Sequence, residues 1–321
     1  GGMSAKAATV AIIGRPNVGK STLFNRVVGA HAAIVDERPG STRDRHYGKA
    51  EWNGRVFWLV DTGGFLPRST EPMDAAIRSQ VQLAVDAADV GLFLVDVETG
   101  PMPGDQEIVE YVRTRGKPVV LSANKADDLA REKRHLDFYE LGLGDPLAVS
   151  AGTGKGTGDL LDAVVAVLPP APAPAGEDEI QGAVIGRPNV GKSSLVNRLL
   201  GEDRLIVADT PGTTRDAIDT PLRFKARVLN FIDTAGLRKR GKIDEAVEFY
   251  AFLRTARAVE RADVCVIVVD AAEGLTAMDI KIAGQAWEAG TGLVIAVNKW
   301  DLVEKDHTTA DAGHKQSLER A

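Results

Sequence analysis

The sequence predicts an α/β fold in which two similar domains follow one another, each with a mostly parallel, doubly wound sheet flanked by helices. Three observations predict it. Short apolar runs alternate with helical patterns, a long segment of the chain is repeated once, and a proline-rich stretch separates the two copies. Continuous apolar runs are typical of parallel strands that helices cover on both faces.

An internal repeat defines the two copies. The segment G-R-P-N-V-G-K-S occupies positions 14–21 and recurs at 186–193, so that Lys20 and Lys192 are 172 residues apart. The same offset relates the P-G-[ST]-T-R-D segments at 39–44 and 211–216, and the D-T-[GA]-G segments at 61–64 and 233–236. The segment N-K-x-D at 124–127 recurs at 298–301, with an offset of 174. A repeat of this length indicates a duplicated domain, because repeat arrays have units of a few tens of residues.

The strands and helices expected in each copy follow from the apolar runs. In the first copy we expect strands near 9–13, 56–60, 90–96, 118–122 and 146–150, with helices over 21–28, 74–87, 106–115 and 158–168. In the second copy we expect strands near 181–185, 228–232, 264–270 and 293–297. The repeated segments then lie at the carboxyl ends of strands, where doubly wound folds bind their ligands.

Domain boundaries follow from the proline-rich stretch, which is acidic at its end. We expect a tag remnant and disordered N-terminus over 1–8, a first domain over 9–168, a linker over 169–179 and a second domain over 180–321. The second domain is expected to be incomplete at its C-terminal end, because it lacks a counterpart of the last strand and helix of the first.

Composition excludes several classes of protein. The chain has 321 residues with 44% hydrophobic content, enough for two full cores, and a net charge of −6 argues against a general nucleic-acid coating protein. Cys265, the only cysteine, lies in an apolar run typical of a buried small hydrophobe. We see neither a membrane span nor a secretory signal, and therefore expect a cytoplasmic protein with no membrane partner.

The repeated G-x-x-x-x-G-K-[ST] segment is typical of a phosphate-binding loop, since each copy follows an apolar strand and opens a helix. The glycines let backbone N–H groups surround phosphates, the lysine reaches the outer phosphates, and the hydroxyl ligates Mg²⁺. The residues assigned to this role are Gly14, Asn17, Gly19, Lys20, Ser21 and Thr22, and Gly186, Asn189, Gly191, Lys192, Ser193 and Ser194.

Two further segments complete the predicted phosphate and Mg²⁺ site. Asp61 and Asp233 begin D-x-x-G, in which the aspartate holds Mg²⁺ through water while the amide of Gly64 or Gly236 senses the γ-phosphate. Thr42 and Thr214 lie between the first helix and the second predicted strand, where a threonine completes the Mg²⁺ shell and makes the loop a switch; the alternative is a solvated turn residue. We therefore predict Mg²⁺ ligands at Ser21, Thr42, Asp61, Ser193, Thr214 and Asp233, and catalytic roles for Lys20, Thr42, Lys192 and Thr214.

The N-K-x-D segments predict guanine selection. A carboxylate accepts two hydrogen bonds from guanine N1 and N2, which adenine cannot offer, so Asp127 and Asp301 favour GTP or GDP over adenine nucleotides. We expect Lys125 and Lys299 to lie along the base and Asn124 and Asn298 to brace the loop. In the first copy, a backbone N–H of Ser150–Ala151 is placed to reach the guanine O6.

This ordered set of segments resembles the translation-factor-like GTPases, and its tandem arrangement closely resembles the Der (EngA) family of bacterial ribosome-assembly GTPases. The resemblance covers residues 9–306, and related families with similar loops carry a single GTPase domain. It implies hydrolysis of GTP to GDP and phosphate by a nucleotide switch that acts in large-subunit biogenesis, with ribosomal particles and rRNA as partners. We expect a monomer.

One expected catalytic group is missing. In the Ras-like pattern a glutamine after D-x-x-G orients the attacking water, whereas this chain has Phe65 and Leu237 there. Either an arginine supplied in trans or a bound monovalent cation would provide positive charge beside the β,γ-bridge. In the GTPases that this chain resembles, an asparagine at the position of Asn17 and Asn189 accompanies K⁺ activation; the alternative is that each asparagine only stabilises the turn.

Two features leave the function open in part. The basic cluster Arg238–Lys242 faces either rRNA or a docking domain, or is simply a solvated surface. The family has a KH-like domain after the second GTPase domain, and we find no such sequence here. The alternative functions are a GTP-dependent binding module in which one domain is mainly regulatory, and a tRNA-modification or membrane-remodelling GTPase.

Overall fold

Each half of the chain forms one six-stranded sheet with helices packed on it. Our computed structural model describes residues 7–32, 46–64, 73–170, 179–200, 206–207, 220–224, 227–232 and 245–303. The two sheets are mixed but mostly parallel, which confirms the predicted fold class.

The first sheet has the strand order β2-β3-β1-β4-β5-β6, in which only the β2–β3 pair is antiparallel. Its strands are β1 (Ala8–Ile13), β2 (Tyr47–Trp52), β3 (Arg55–Asp61), β4 (Val90–Asp96), β5 (Val119–Asn124) and β6 (Leu147–Ala148). The helices are α1 (Lys20–Ala30), α2 (Met73–Ala87), α3 (Pro103–Arg115), α4 (Leu129–Lys133) and α5 (Thr157–Val167), and 3₁₀ turns cover Thr62–Gly64 and Arg134–Leu141.

Burial explains why this sheet is the core of the first domain. All seven residues of β4 are buried, as its continuous apolar sequence predicts for a central parallel strand. Side chains of α1 and α5, among them Phe24 and Leu160, pack with strand residues such as Ile12 and Leu92 into one hydrophobic cluster.

The second sheet has the strand order β12-β11-β7-β10-β9-β8. Its strands are β7 (Glu179–Ile185), β8 (Ile206–Val207), β9 (Thr220–Phe224), β10 (Arg227–Ile232), β11 (Val264–Asp270) and β12 (Gly292–Asn298). The helices are α6 (Lys192–Leu200), α7 (Glu245–Arg261) and α8 (Ala277–Glu288), and a 3₁₀ turn covers Trp300–Leu302. Cys265 is fully buried in the core of this domain, and burial raises the pKa of its thiol.

The structure adds elements that the apolar runs did not predict. Strand β2 forms a hairpin with β3 around Asn53 and Gly54, which have φ values of 48° and 72°. An N-G pair between two strands is the strongest short signal for such a hairpin, but the polar β2 sequence Y-G-K-A-E-W lacks an apolar run. The strand expected near 146–150 is reduced to the two residues of β6. Among the described helices, none is long and apolar enough to cross a membrane.

Candidate nucleotide-binding sites

The loop that joins β1 to α1 has a backbone conformation that requires glycine at two positions. Gly14 has φ of 151° and Gly19 has φ of 100°, values that side chains rarely allow. A Cβ atom at Gly14 would lie 2.3 Å from the Leu94 carbonyl oxygen, and one at Gly19 would lie 2.2 Å from Asn124 Nδ2. Asn17 adopts the left-handed conformation with φ of 65°, which asparagine tolerates better than most residues.

Lys20 points back over this loop. Its Nζ atom donates to the carbonyl oxygens of Gly14, at 2.9 Å, and Arg15, at 2.7 Å. The side chain is buried, and desolvation lowers its pKa to about 8, although the nearby Asp61 carboxylate acts in the opposite direction. A buried ammonium held by exchangeable carbonyl contacts is suited to receive phosphate oxygens.

A hydroxyl and a carboxylate meet beside Lys20. Ser21 Oγ donates to Asp61 Oδ2 at 2.6 Å, and the other Asp61 oxygen accepts from the Gly63 amide at 2.8 Å. Oxygen atoms of these types are the ligands that Mg²⁺ prefers. Ser21 lines a cavity of about 330 Å³, together with Gly14, Pro16, Asn17, Gly19, Lys20, Thr22, Thr62, Gly63 and Val81.

The N-K-x-D segment of the first domain is tied to the phosphate loop through Asn124. Its Nδ2 atom donates to the Val18 carbonyl oxygen at 2.8 Å, and its Oδ1 atom accepts from the Ala151 amide at 2.9 Å. Asn124 therefore links the N-K-x-D segment to the phosphate loop and to the loop at Ala151, as expected. A guanine O6 would have to share the Ala151 N–H with Asn124, because that N–H already donates in this structure.

The Asp127 carboxylate, which is predicted to select guanine, is held in place by its neighbours. Ser150 Oγ donates to Asp127 Oδ1 at 2.5 Å, and Arg131 Nη1 donates to Asp127 Oδ2 at 3.2 Å. Sequence reasoning assigned only a backbone role to Ser150, whereas its hydroxyl orients Asp127. Arg26 of α1 was missed altogether; it donates to the carbonyl oxygens of Ala151 and Gly152.

The second domain repeats most of this geometry. Gly186 and Gly191 have φ values of 142° and 97°, and a Cβ atom at Gly191 would lie 2.0 Å from Asn298 Nδ2. Lys192 donates to the Arg187 carbonyl oxygen at 2.6 Å, and burial lowers its pKa to about 8. Asn298 donates to the Val190 carbonyl oxygen at 2.8 Å, as Asn124 does to Val18 in the first domain.

For other predicted residues, the structure gives a secondary-structure element or a backbone angle. Gly64 ends the short 3₁₀ turn that begins at Thr62, and Thr22 and Ser194 lie in the first turns of α1 and α6. Asn189 has φ of 64°, and Asp301 lies in the 3₁₀ turn after Lys299. Thr42, Phe65, Thr214, Asp233, Gly236, Leu237 and Arg238–Lys242 lie outside the described residues.

The sequence analysis also missed two buried aspartates, one in each domain, that contact the lysines of the N-K-x-D segments. Lys125 Nζ lies 2.5 Å from Asp96 Oδ2 and 3.2 Å from Glu98 Oε2, and the hydrogen bond to Asp96 is the main cause that raises the pKa of Lys125. Lys299 Nζ likewise lies 2.5 Å from Asp270 Oδ2, and this bond lowers the pKa of Asp270. Both aspartates end a central strand, and the repeated V-D at these ends was the available signal.

Known proteins match this chain over both phosphate loops. A family model described as 50S ribosome-binding GTPase matches residues 9–125 and again residues 181–299. GTPase Der of Gemmatimonas aurantiaca is 55% identical over 312 residues, which cover 97% of this chain and 71% of that protein. This chain belongs to the Der family. GTPase Der of Moorella thermoacetica, 55% identical over 302 residues, covers 94% of this chain, and the match spans 69% of that relative.

Membership of the Der family confirms the predicted resemblance and the predicted activity. This Der-family chain binds guanine nucleotides and is a GTP-hydrolysing switch with two P-loop GTPase domains. The matched segments begin just before each phosphate loop and reach Lys125 and Lys299 of the two N-K-x-D segments.

We expect Asp96→Asn to weaken guanine-nucleotide binding in the first domain by about five- to tenfold. The asparagine keeps an oxygen that can accept the hydrogen bond from the Glu98 amide, which is 2.8 Å long in the unaltered protein. It removes the buried negative charge that holds Lys125. Titration with a fluorescent GDP analogue measures this effect. Glu98→Gln is the matched control, because Glu98 contacts the same lysine while half-exposed, and it should change affinity by less than about twofold. Equal effects of the two variants would contradict a specific role for Asp96.

Proposed function

We propose that each domain binds Mg²⁺–GTP and hydrolyses it, and that this double switch acts in the biogenesis of the large ribosomal subunit. The observation that supports two guanine sites is the repeated bond from the N-K-x-D asparagine to the phosphate loop, at 2.8 Å in both domains. We assign the domains to residues 9–168 and 180–321, joined by a linker over 169–179, in a cytoplasmic monomer.

In the proposed site the chain's own groups bind and orient the triphosphate. Lys20 and Lys192 exchange their carbonyl partners for β- and γ-phosphate oxygens, and the loop amides surround the phosphates. Ser21 and Asp61, whose oxygens are 2.6 Å apart, would hold Mg²⁺, together with Thr42; Ser193, Asp233 and Thr214 are the counterparts. When bound, Mg²⁺ neutralises charge that develops on the phosphate oxygens. We assign no side chain as general base.

We expect K⁺ to stimulate GTP hydrolysis relative to Na⁺ at equal ionic strength. Asn17 lines the phosphate cavity, and an amide oxygen there suits a monovalent cation beside the β,γ-bridge. Asn17→Gly removes the side chain without strain at φ of 65°, and should abolish the difference between the two salts in the first domain. Asn189→Gly should do the same in the second.

Asn53→Gly is the matched control for the K⁺ experiment. Asn53 also has positive φ, at 48°, but lies in the β2–β3 turn and bonds to Asp162. It should leave the stimulation by K⁺ unchanged. Equal rates in K⁺ and Na⁺ for the unaltered protein would refute K⁺ activation and leave an arginine supplied in trans as the alternative.

The ribosomal role is supported by the description of the twice-matched family, 50S ribosome-binding GTPase. We expect the protein to co-sediment with large-subunit particles to a different extent with GDP than with a non-hydrolysable GTP analogue. Charge reversal in the cluster Arg238–Lys242 should weaken co-sedimentation and reduce its salt dependence if the cluster touches rRNA. Equal co-sedimentation with both nucleotides would contradict a switch acting on ribosomes.

A further inference from the structure

The side chain of the phosphate-loop arginine is bound by residues outside the loop. Arg15 Nε lies 2.8 Å from Asp105 Oδ1, and Arg15 Nη2 donates to Thr99 Oγ1 at 3.1 Å. The Asp105 side chain is completely buried, whereas that of Arg15 is 20% exposed. Asp105 is the third residue of α3, and its second oxygen accepts from the Met102 amide at 3.0 Å.

The second domain has the same arrangement with different neighbours. Arg187 Nε donates to both oxygens of Asp279, at 3.2 and 3.1 Å, and Arg187 also pairs with Glu273. Asp279 is 1% exposed, is the third residue of α8, and accepts from the Thr276 amide at 3.0 Å. Glu273 corresponds in sequence to Thr99, so the flanking contact differs while the arginine–aspartate contact is retained.

The arginine backbone connects this anchor to the phosphate site. The carbonyl oxygen of Arg15 accepts from Lys20 Nζ at 2.7 Å, and that of Arg187 accepts from Lys192 Nζ at 2.6 Å. The side chain of each arginine is therefore fixed to the buried aspartate while its main chain orients the lysine. In the first domain the packing is close: a Cβ atom at Gly104 would lie 3.0 Å from Arg15 Cδ.

We propose that Asp105 and Asp279 are positioning residues for GTP and GDP binding. Each holds its loop arginine, and through it the carbonyl that orients the loop lysine, in the conformation that receives the phosphates. A buried carboxylate whose main charged partner is one arginine makes this contact costly to break, which keeps the loop in one conformation. The inference rests on the nucleotide sites alone and does not depend on ribosome binding or K⁺.

Two roles for the loop arginine predict different effects on kcat and on nucleotide affinity. An arginine that stabilises the transition state changes kcat by about 10³–10⁵-fold. An anchoring arginine changes the affinity for GDP and GTP alike, because it acts on the loop before hydrolysis. Asp105 also caps α3, so an effect of Asp105 variants alone would not separate anchoring from helix stability.

The test is a double-mutant cycle with Arg15→Gln and Asp105→Asn, made in the full chain with the second site silenced by Lys192→Ala. The quantities measured are the Kd for a fluorescent GDP analogue, kcat at saturating GTP, and Tm. We expect each single variant to raise Kd by about tenfold or more. The Kd of the double variant should be no more than about twofold above that of the single variant with the higher Kd. We expect kcat to change by less than about threefold.

Glu107→Gln is the matched control, because Glu107 lies on the same helix and pairs with Arg78 at 3.0 Å on the exposed surface. It should leave Kd unchanged. An unchanged Kd in Arg15→Gln would overturn the proposal, as would losses that simply add in the double variant, which indicate a helix cap only. A large loss of kcat with Kd retained would assign Arg15 a catalytic role instead. Failure of the unaltered chain to bind the GDP analogue would instead refute the nucleotide site itself.

Discussion

Lys20→Ala is expected to lower GTP turnover by the first domain by about 10²–10³-fold, the effect typical of losing one preorganised charge at the reacting phosphates. The structure provides the reason. Lys20 is buried, desolvation lowers its pKa to about 8, and its present partners are two neutral carbonyl oxygens. A phosphate with full negative charges is a much stronger partner in that environment. Phosphate release in steady state measures the change.

Lys192→Ala should have the same effect in the second domain, because Lys192 is half-buried, desolvation lowers its pKa to about 8, and it donates to the Arg187 carbonyl oxygen as Lys20 does to that of Arg15. The two variants, measured singly and combined, apportion total turnover between the domains. Lys133→Ala, at the exposed end of α4, is the control and should leave turnover unchanged. If Lys192→Ala altered ribosomal-particle binding but not turnover, the second domain would be a regulatory binding module rather than a second catalytic site.

Asp127→Asn is expected to weaken guanine-nucleotide binding in the first domain by roughly 10²–10⁴-fold. Two charge-assisted hydrogen bonds to the base, each worth about 1.5–3 kcal/mol, depend on this carboxylate. The new amide also places N–H donors against the guanine N1–H and N2 groups. Xanthine has a carbonyl in place of the N2 amine, so xanthine nucleotides should gain affinity in the same variant. Competition between GDP and XDP measures both changes.

Asp128→Asn is the matched control for this experiment. Asp128 is adjacent and more exposed, and its carboxylate caps α4 by accepting from the Arg131 amide at 2.9 Å. It should alter base preference by less than about twofold. Retention of guanine preference in Asp127→Asn would contradict the assignment of Asp127 and transfer selection to the loop at Ser150.

Much of the fold was predictable because parallel strands in this chain are continuous apolar runs. The fully buried β4 was expected over residues 90–96 and forms over Val90–Asp96. Strand β2 was not predicted, because it lies at the edge of the sheet and is only partly buried, so its sequence has no continuous apolar run. The short strand β6 was overestimated, since only Leu147 and Ala148 pair with β5.

Residue types and spacing alone determined the duplicated phosphate loops and predicted the aspartates for guanine selection, and the resemblance that these segments carry predicted the family. These are local patterns, because a phosphate loop is defined by glycines, a lysine and a serine within eight residues, between an apolar strand and a helix. Contacts between distant segments were decided only by the tertiary structure. Arg15 meets Asp105 across 90 residues, and Arg26 meets Ala151 across 125. No periodicity encodes such pairs, since they arise from which helix packs beside which loop once the sheet has formed.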